Sequence, residues 1–194
     1  MMKIENYMEI IIKDFLPPIR ALLPSFHFSV AIVLSVAVIV RLSNKKAFRA
    51  STCDKSRLTA WMIFLSYILV IFQTVFLSRE PGSREAVSLV PFETWGHTMY
   101  AHAYFIENII MFIPFGILLP ILFKRMRRVR NCVRFGFLNS CIIEMAQFVT
   151  RRGYLQLDDV ITNTVGALIG WLIWRGAGKI IKGSLMGADP IKKI

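Results

Sequence analysis

FIENIIMFIPFGILLPILFKRMRRVR, residues 105–130, sets a long apolar block against a run of cations with no acid among them. As a helix rising 1.5 Å per residue, the block at 105–123 reaches about 28 Å, close to the ~30 Å hydrocarbon thickness of a bilayer. Backbone polar groups find no partners in hydrocarbon, so such a block is expected to be a helix. The same reading extends to 22–42, 58–77, 133–149 and 157–174, which are apolar blocks separated by polar, mostly basic loops. Across 194 residues, 55% are apolar and 19% charged, below the roughly 25% charge of soluble domains. The expected fold class is therefore all-α: a polytopic membrane helix bundle of about five transmembrane helices, with an N-terminal amphipathic interfacial helix.

The distribution of charge gives the expected orientation. The loop after the first span carries Arg41, Lys45, Lys46, Arg49, Lys55 and Arg57 against the single acid Asp54. That after the third carries Lys124, Arg125, Arg127, Arg128, Arg130 and Arg134. In the second loop, by contrast, Arg79 and Arg84 face Glu80, Glu85 and Glu93, and in the fourth Arg151 and Arg152 lie beside Asp158 and Asp159. Basic loops stay cytoplasmic, which places the N-terminus outside and the basic tail, 175–194, inside. The net charge of +12 is then a topology signal and an attraction to anionic lipid rather than a mark of nucleic-acid binding.

Residues 1–20 repeat Ile4, Tyr7, Met8, Ile11, Ile12 and Phe15 at helical spacing, with charges between them, and Pro17 and Pro18 are expected to end this interfacial helix. A cleaved signal peptide is disfavoured, because a positive n-region and a small-residue cleavage site are both missing. Cys53, Cys132 and Cys141 are odd in number and widely spaced, and His97 and His102 miss the i, i+4 spacing of helical metal ligands. Neither set implies a metal, and no cofactor is expected.

The polar residues inside the spans are the informative ones, since an ionisable group at the bilayer centre is costly and faces the bundle interior. Ser140, Glu144, Gln147 and Arg151 share one face of the fourth span. Asp159, Thr162, Asn163, Gly166 and Gly170 share one face of the fifth, and the Gly166-x-x-x-Gly170 pair reads as a packing face. Glu107 and Asn108 open the third span, in which Pro114 is expected to kink the helix. Alternating topology puts all of these groups in one half of the membrane, so one polar pocket toward the outer face is expected. Asp158 or Asp159 acting as a helix cap, and a structural Glu144–Arg151 pair, are the plainer readings.

Asn108 to Gly116 (NIIMFIPFG), then Ile143-Glu144-x-x-Gln147 with Arg151/Arg152, then the stretch from Leu157-Asp158-Asp159 through Asn163 to Gly170 resemble, in this order, the successive motifs of the VanZ-like family, whose founding member lowers susceptibility to the lipoglycopeptide teicoplanin. Arg79 and Val90-Pro91-Phe92 match the family's upstream pattern. The resemblance covers about 58–174 and implies a multi-pass protein of the bacterial inner membrane, without supplying a mechanism. The expected function is binding or remodelling of an amphiphile at the outer leaflet: a lipid-linked cell-wall precursor, a phospholipid or a lipoglycopeptide. Arg79, Arg151 and Arg152 would hold phosphate or carboxylate, while Asn108, Glu144, Gln147, Asp158, Asp159 and Asn163 would orient polar groups. The alternatives are a membrane-embedded enzyme using Glu144 and Asp159 as acid and base, a small lipid transporter, and a scaffold.

Overall fold

The computed structural model describes residues 2–43, 55–77, 82, 87–93, 95 and 99–187. Arg79, Arg84, Cys53, His97, the first-loop cations Lys45, Lys46 and Arg49, and the tail residues Lys192 and Lys193 lie outside the described residues. The described chain is an all-α membrane helix bundle. Its helices are α1 (Met2–Ser43), α2 (Lys55–Phe72, continued by a π-helical turn Gln73–Leu77), α3 (Met99–Leu122), α4 (Val129–Val149) and α5 (Leu157–Gly187). A 3₁₀ turn, Lys124–Arg127, carries the basic run between α3 and α4.

α1 departs from expectation. It runs unbroken through Pro17, Pro18 and Pro24, so the interfacial segment and the first span are one helix. Each proline removes one backbone bond, whereas ending the helix inside or beside hydrocarbon would strand the donors and acceptors of a whole turn. Its described apolar window, Phe15–Ser35, overlaps the expected first span. The buried positions Ala21, Ser25, Ser29 and Val33 recur every fourth residue, a narrow small-residue stripe on the helix that packs chiefly against α2. Within it the Ser29 hydroxyl donates to the Ser25 carbonyl at 2.7 Å, so it is buried without an unmet bond.

Four described helices, α1 to α4, are long and apolar enough to cross a membrane. The expected fifth span, at the start of α5, is not among them. Asp158, Asp159, Thr162 and Asn163 dilute its apolar character, and three of these, Asp158, Thr162 and Asn163, are buried inside the bundle. α4 shows the same inversion along one helix. Ser140, Glu144 and Gln147 are buried, Glu144 to 2% exposure, while Ile142, Met145 and Val149 on another face are exposed, Val149 to 73%. Polar groups inside and apolar groups outside is the arrangement that lipid demands.

The most extensive helix interface joins α3 to α5. It closes because Gly116, Gly166 and Gly170 lack a Cβ: one added at Gly170 would strike the Ile113 carbonyl, and one at Gly116 the Ala167 carbonyl. Around this crossing Phe112, Phe115, Leu119, Cys132, Ala167 and Trp171 form the core. α3 is continuous through both prolines. Pro120 takes away the amide that would bond to the Gly116 carbonyl, and the Cys132 thiol approaches that oxygen at 4.0 Å instead. One turn past Asn108, the Tyr67 hydroxyl of α2 donates to the Met111 carbonyl at 2.9 Å.

At the end of the bundle where α2 and α4 finish and α3 and α5 begin, a two-residue strand β1 (Val87–Ser88) pairs in parallel with β2 (Leu155–Gln156). This bridge ties the loop before α3 to the one before α5. Strands this short carry no periodicity, and the sequence did not reveal them.

Candidate functional site

The polar residues of α3, α4 and α5 meet beneath this bridge. The Asn108 amide donates to Asp159 Oδ1 at 2.8 Å, joining α3 to α5. The Asn163 amide donates to Ser140 Oγ at 2.9 Å, joining α5 to α4. The Ser140 hydroxyl lies 3.5 Å from the Asp159 carbonyl, closing the set. Asn163 is buried to 2% exposure, and its Oδ1 has no hydrogen-bond partner within the described chain. A buried amide oxygen left in this way costs about 1–3 kcal/mol, which makes the cluster a place where polarity is kept against stability.

Two buried carboxylates hold the loops that roof the cluster. Glu144 Oε2 accepts the Gln156 backbone N–H at 3.1 Å, fixing β2 to α4. Asp158 Oδ1 accepts the Phe92 N–H at 2.6 Å, fixing the loop before α3 to the first turn of α5. Asp158 thus sits where the positive end of the helix dipole favours a carboxylate, and also reaches across to a distant segment. Gln147 points elsewhere: its amide lies 3.5 Å from the Val75 carbonyl in the π turn that ends α2.

The two arginines part company. α4 ends in a left-handed cap, in which Arg151 N–H donates to the Phe148 carbonyl at 3.0 Å and Arg152 N–H to the Gln147 carbonyl at 2.9 Å. Arg151, at φ 54°, occupies the position that glycine usually takes, and its side chain is exposed. Arg152 turns inward, and its guanidinium donates to the Phe76 carbonyl of the π turn. The sequence could not tell which arginine faces the bundle; the cap geometry assigns that to Arg152.

A non-glycine residue in the left-handed region costs about 1–2 kcal/mol. Arg151→Gly is therefore expected to raise resistance to denaturation by about 1 kcal/mol, measured by titration of the purified protein with SDS.

Beside the polar cluster, a cavity of about 260 Å³ opens between α1, α2 and α3. Its walls are apolar, with Ile19, Leu22, Val70, Ile71, Met111 and Pro114 among them, and its polar members are Tyr67, Thr74, Glu107 and Asn108. Asn108 belongs to both places: it lines the cavity and donates to Asp159. Sequence reasoning missed this cavity because its walls are ordinary span residues from three helices. It also missed the backbone partners, Phe92 and Gln156, which have no side-chain signature.

Residues 58–182, well over half the chain, match the VanZ/LLP1 family model. The chain is 36% identical over 104 residues to Protein VanZ of Enterococcus faecium, an alignment covering 53% of this chain and 62% of that relative. It thus spans less than two thirds of the relative's length. No solved structure matches the chain. The matched region runs from α2 into α5 and so contains Asn108, Glu144, Gln147, Asp158, Asp159 and Asn163 together; with the helix bundle that carries them, it makes this chain a member of the VanZ/LLP1 family.

Proposed function

We propose that the protein is a multi-pass protein of the bacterial inner membrane that holds an amphiphile in its outer leaflet, the apolar part in the α1–α2–α3 cavity and the polar part toward Asn108 and the cluster behind it. The observation that carries this reading is the double membership of Asn108, which places an apolar chamber against an intramembrane polar cluster, as a molecule with a tail and a head requires. The orientation rests on the charge asymmetry, with Lys124, Arg125, Arg127 and Arg128 at the opposite end of α3 from Asn108. Arg151, an exposed residue at the left-handed end of α4, adds positive charge that favours phosphate or carboxylate at the membrane surface. Membrane lipids, lipid-linked wall precursors and lipoglycopeptides such as teicoplanin all fit this chemistry, and lowered teicoplanin susceptibility is the phenotype that family membership suggests.

Mass spectrometry of lipids retained by the purified protein tests the reading. An anionic amphiphile enriched over the bulk membrane is the expected result. Met111→Trp, which fills the chamber, is expected to lower retention by about tenfold, as the loss of ~1.4 kcal/mol would. Arg151→Gly is expected to weaken retention of the anionic species while leaving the fold at least as stable. Retention by both variants equal to that of the parent would refute the proposal.

A further inference from the structure

The segment from Val87 to Trp95 exposes Val87, Leu89, Val90, Phe92 and Trp95 together, and no charge interrupts the run before Glu93. Its internal polar groups satisfy one another: the Ser88 hydroxyl donates to the Glu93 carboxylate. Exposed apolar side chains gathered in this way mark a site of contact with a partner or a membrane. The segment is held in place at three points. β1 pairs with β2, Asp158 takes the Phe92 N–H, and the Trp95 ring packs 4.6 Å from that of His102 and 4.8 Å from that of Phe105 at the start of α3. Phe92 itself sits at φ 62°, a conformation that a bulky residue rarely adopts and that persists here under the hold of a buried carboxylate.

We infer that this segment is a membrane-interface wedge, its apolar side chains seated in the lipid leaflet around the bundle rather than in water. The occupant is lipid because the segment lies at the end of a membrane helix bundle, level with an exposed apolar stripe of one of its spans. The exposed stripe Ile142, Met145 and Val149 on α4 runs up to the level where β2 begins α5, and β1 lies beside β2 at that level. That level is the end of the apolar α4 window, Val129–Val149, and the ends of such spans are the zone in which Trp and other amphipathic rings accumulate. Held there, the wedge occupies the lipid edge beside the loops that roof the polar cluster.

Trp95 is one of four tryptophans, so its emission is obtained in lipid nanodiscs as the difference between the parent and Trp95→Phe. With lipids brominated near the headgroup end of their acyl chains, this difference emission is expected to lose most of its intensity, and aqueous iodide is expected to leave it largely unchanged. Quenching by iodide and not by bromine, or by neither, overturns the inference. A second probe avoids the aromatic packing: Leu89→Cys carrying a nitroxide, with Cys53 and Cys141 changed to Ser and buried Cys132 retained. Collision with oxygen exceeding collision with a water-soluble nickel chelate is expected, and the reverse order overturns the inference.

Discussion

Gly170→Leu is expected to remove the folded bundle from detergent extracts, or to leave a protein destabilised by about 3 kcal/mol or more in an SDS titration. The magnitude follows from what the side chain meets. A Cβ alone collides with the Ile113 carbonyl and comes within 2.9 Å of Gly116 Cα, and both are backbone atoms that no rotamer change can move. α3 and α5 would have to separate, losing the packing of Phe112, Ala167 and Trp171 along with the contact itself. Gly176→Ala and Gly178→Ala in the same helix are the matched controls. Nothing lies within 4 Å of a Cβ at either position, so the better helix former is expected to be neutral or to gain about 0.5–1 kcal/mol. Equal stability of Gly170→Leu and the controls would show that the crossing is not as close as described.

Asp158→Ala is expected to cost about 2–3 kcal/mol and to free the loop before α3. The carboxylate makes a charge-assisted bond to the Phe92 N–H at 2.6 Å, and such bonds contribute about 1.5–3 kcal/mol when one partner is ionised. Phe92 would lose what holds it at positive φ, so the loop should become susceptible to limited proteolysis between β1 and Trp95 while the spans stay intact. Asp158→Asn retains an oxygen that can accept the same N–H and is expected to restore much of the protection. If Asp158→Ala is cleaved no faster than the parent, the carboxylate does not hold the loop.

The bundle was legible because the bilayer imposes a length and a solvent on every span; α2 with its π turn and α4 end at Leu77 and Val149, whereas α3 begins at Met99, six residues ahead of the apolar block. The prolines of α1 misled because rules for helix ends in water weigh a lost bond differently from hydrocarbon, where stopping is worse than continuing. In the cluster, Glu144, Asp158 and Asn163 were conspicuous as polar residues in apolar surroundings, and the helical repeat gave the faces they share. Their partners were not conspicuous. Glu144 and Asp158 bond to backbone amides of Gln156 and Phe92, and any residue could stand at those positions. Arg151 and Arg152 are adjacent and alike in sequence, and only the left-handed turn at Arg151 sends one outward and the other toward α2.

The β1–β2 bridge has a consequence for the order of assembly. Phe92 and Asp158 lie 66 residues apart, and all of α3 and α4 is threaded between them. During synthesis the earlier strand emerges with neither its pairing edge nor its carboxylate anchor yet made. The roof over the cluster therefore closes only after two further helices have entered the bilayer and the third has begun, so it belongs among the last contacts acquired during biogenesis.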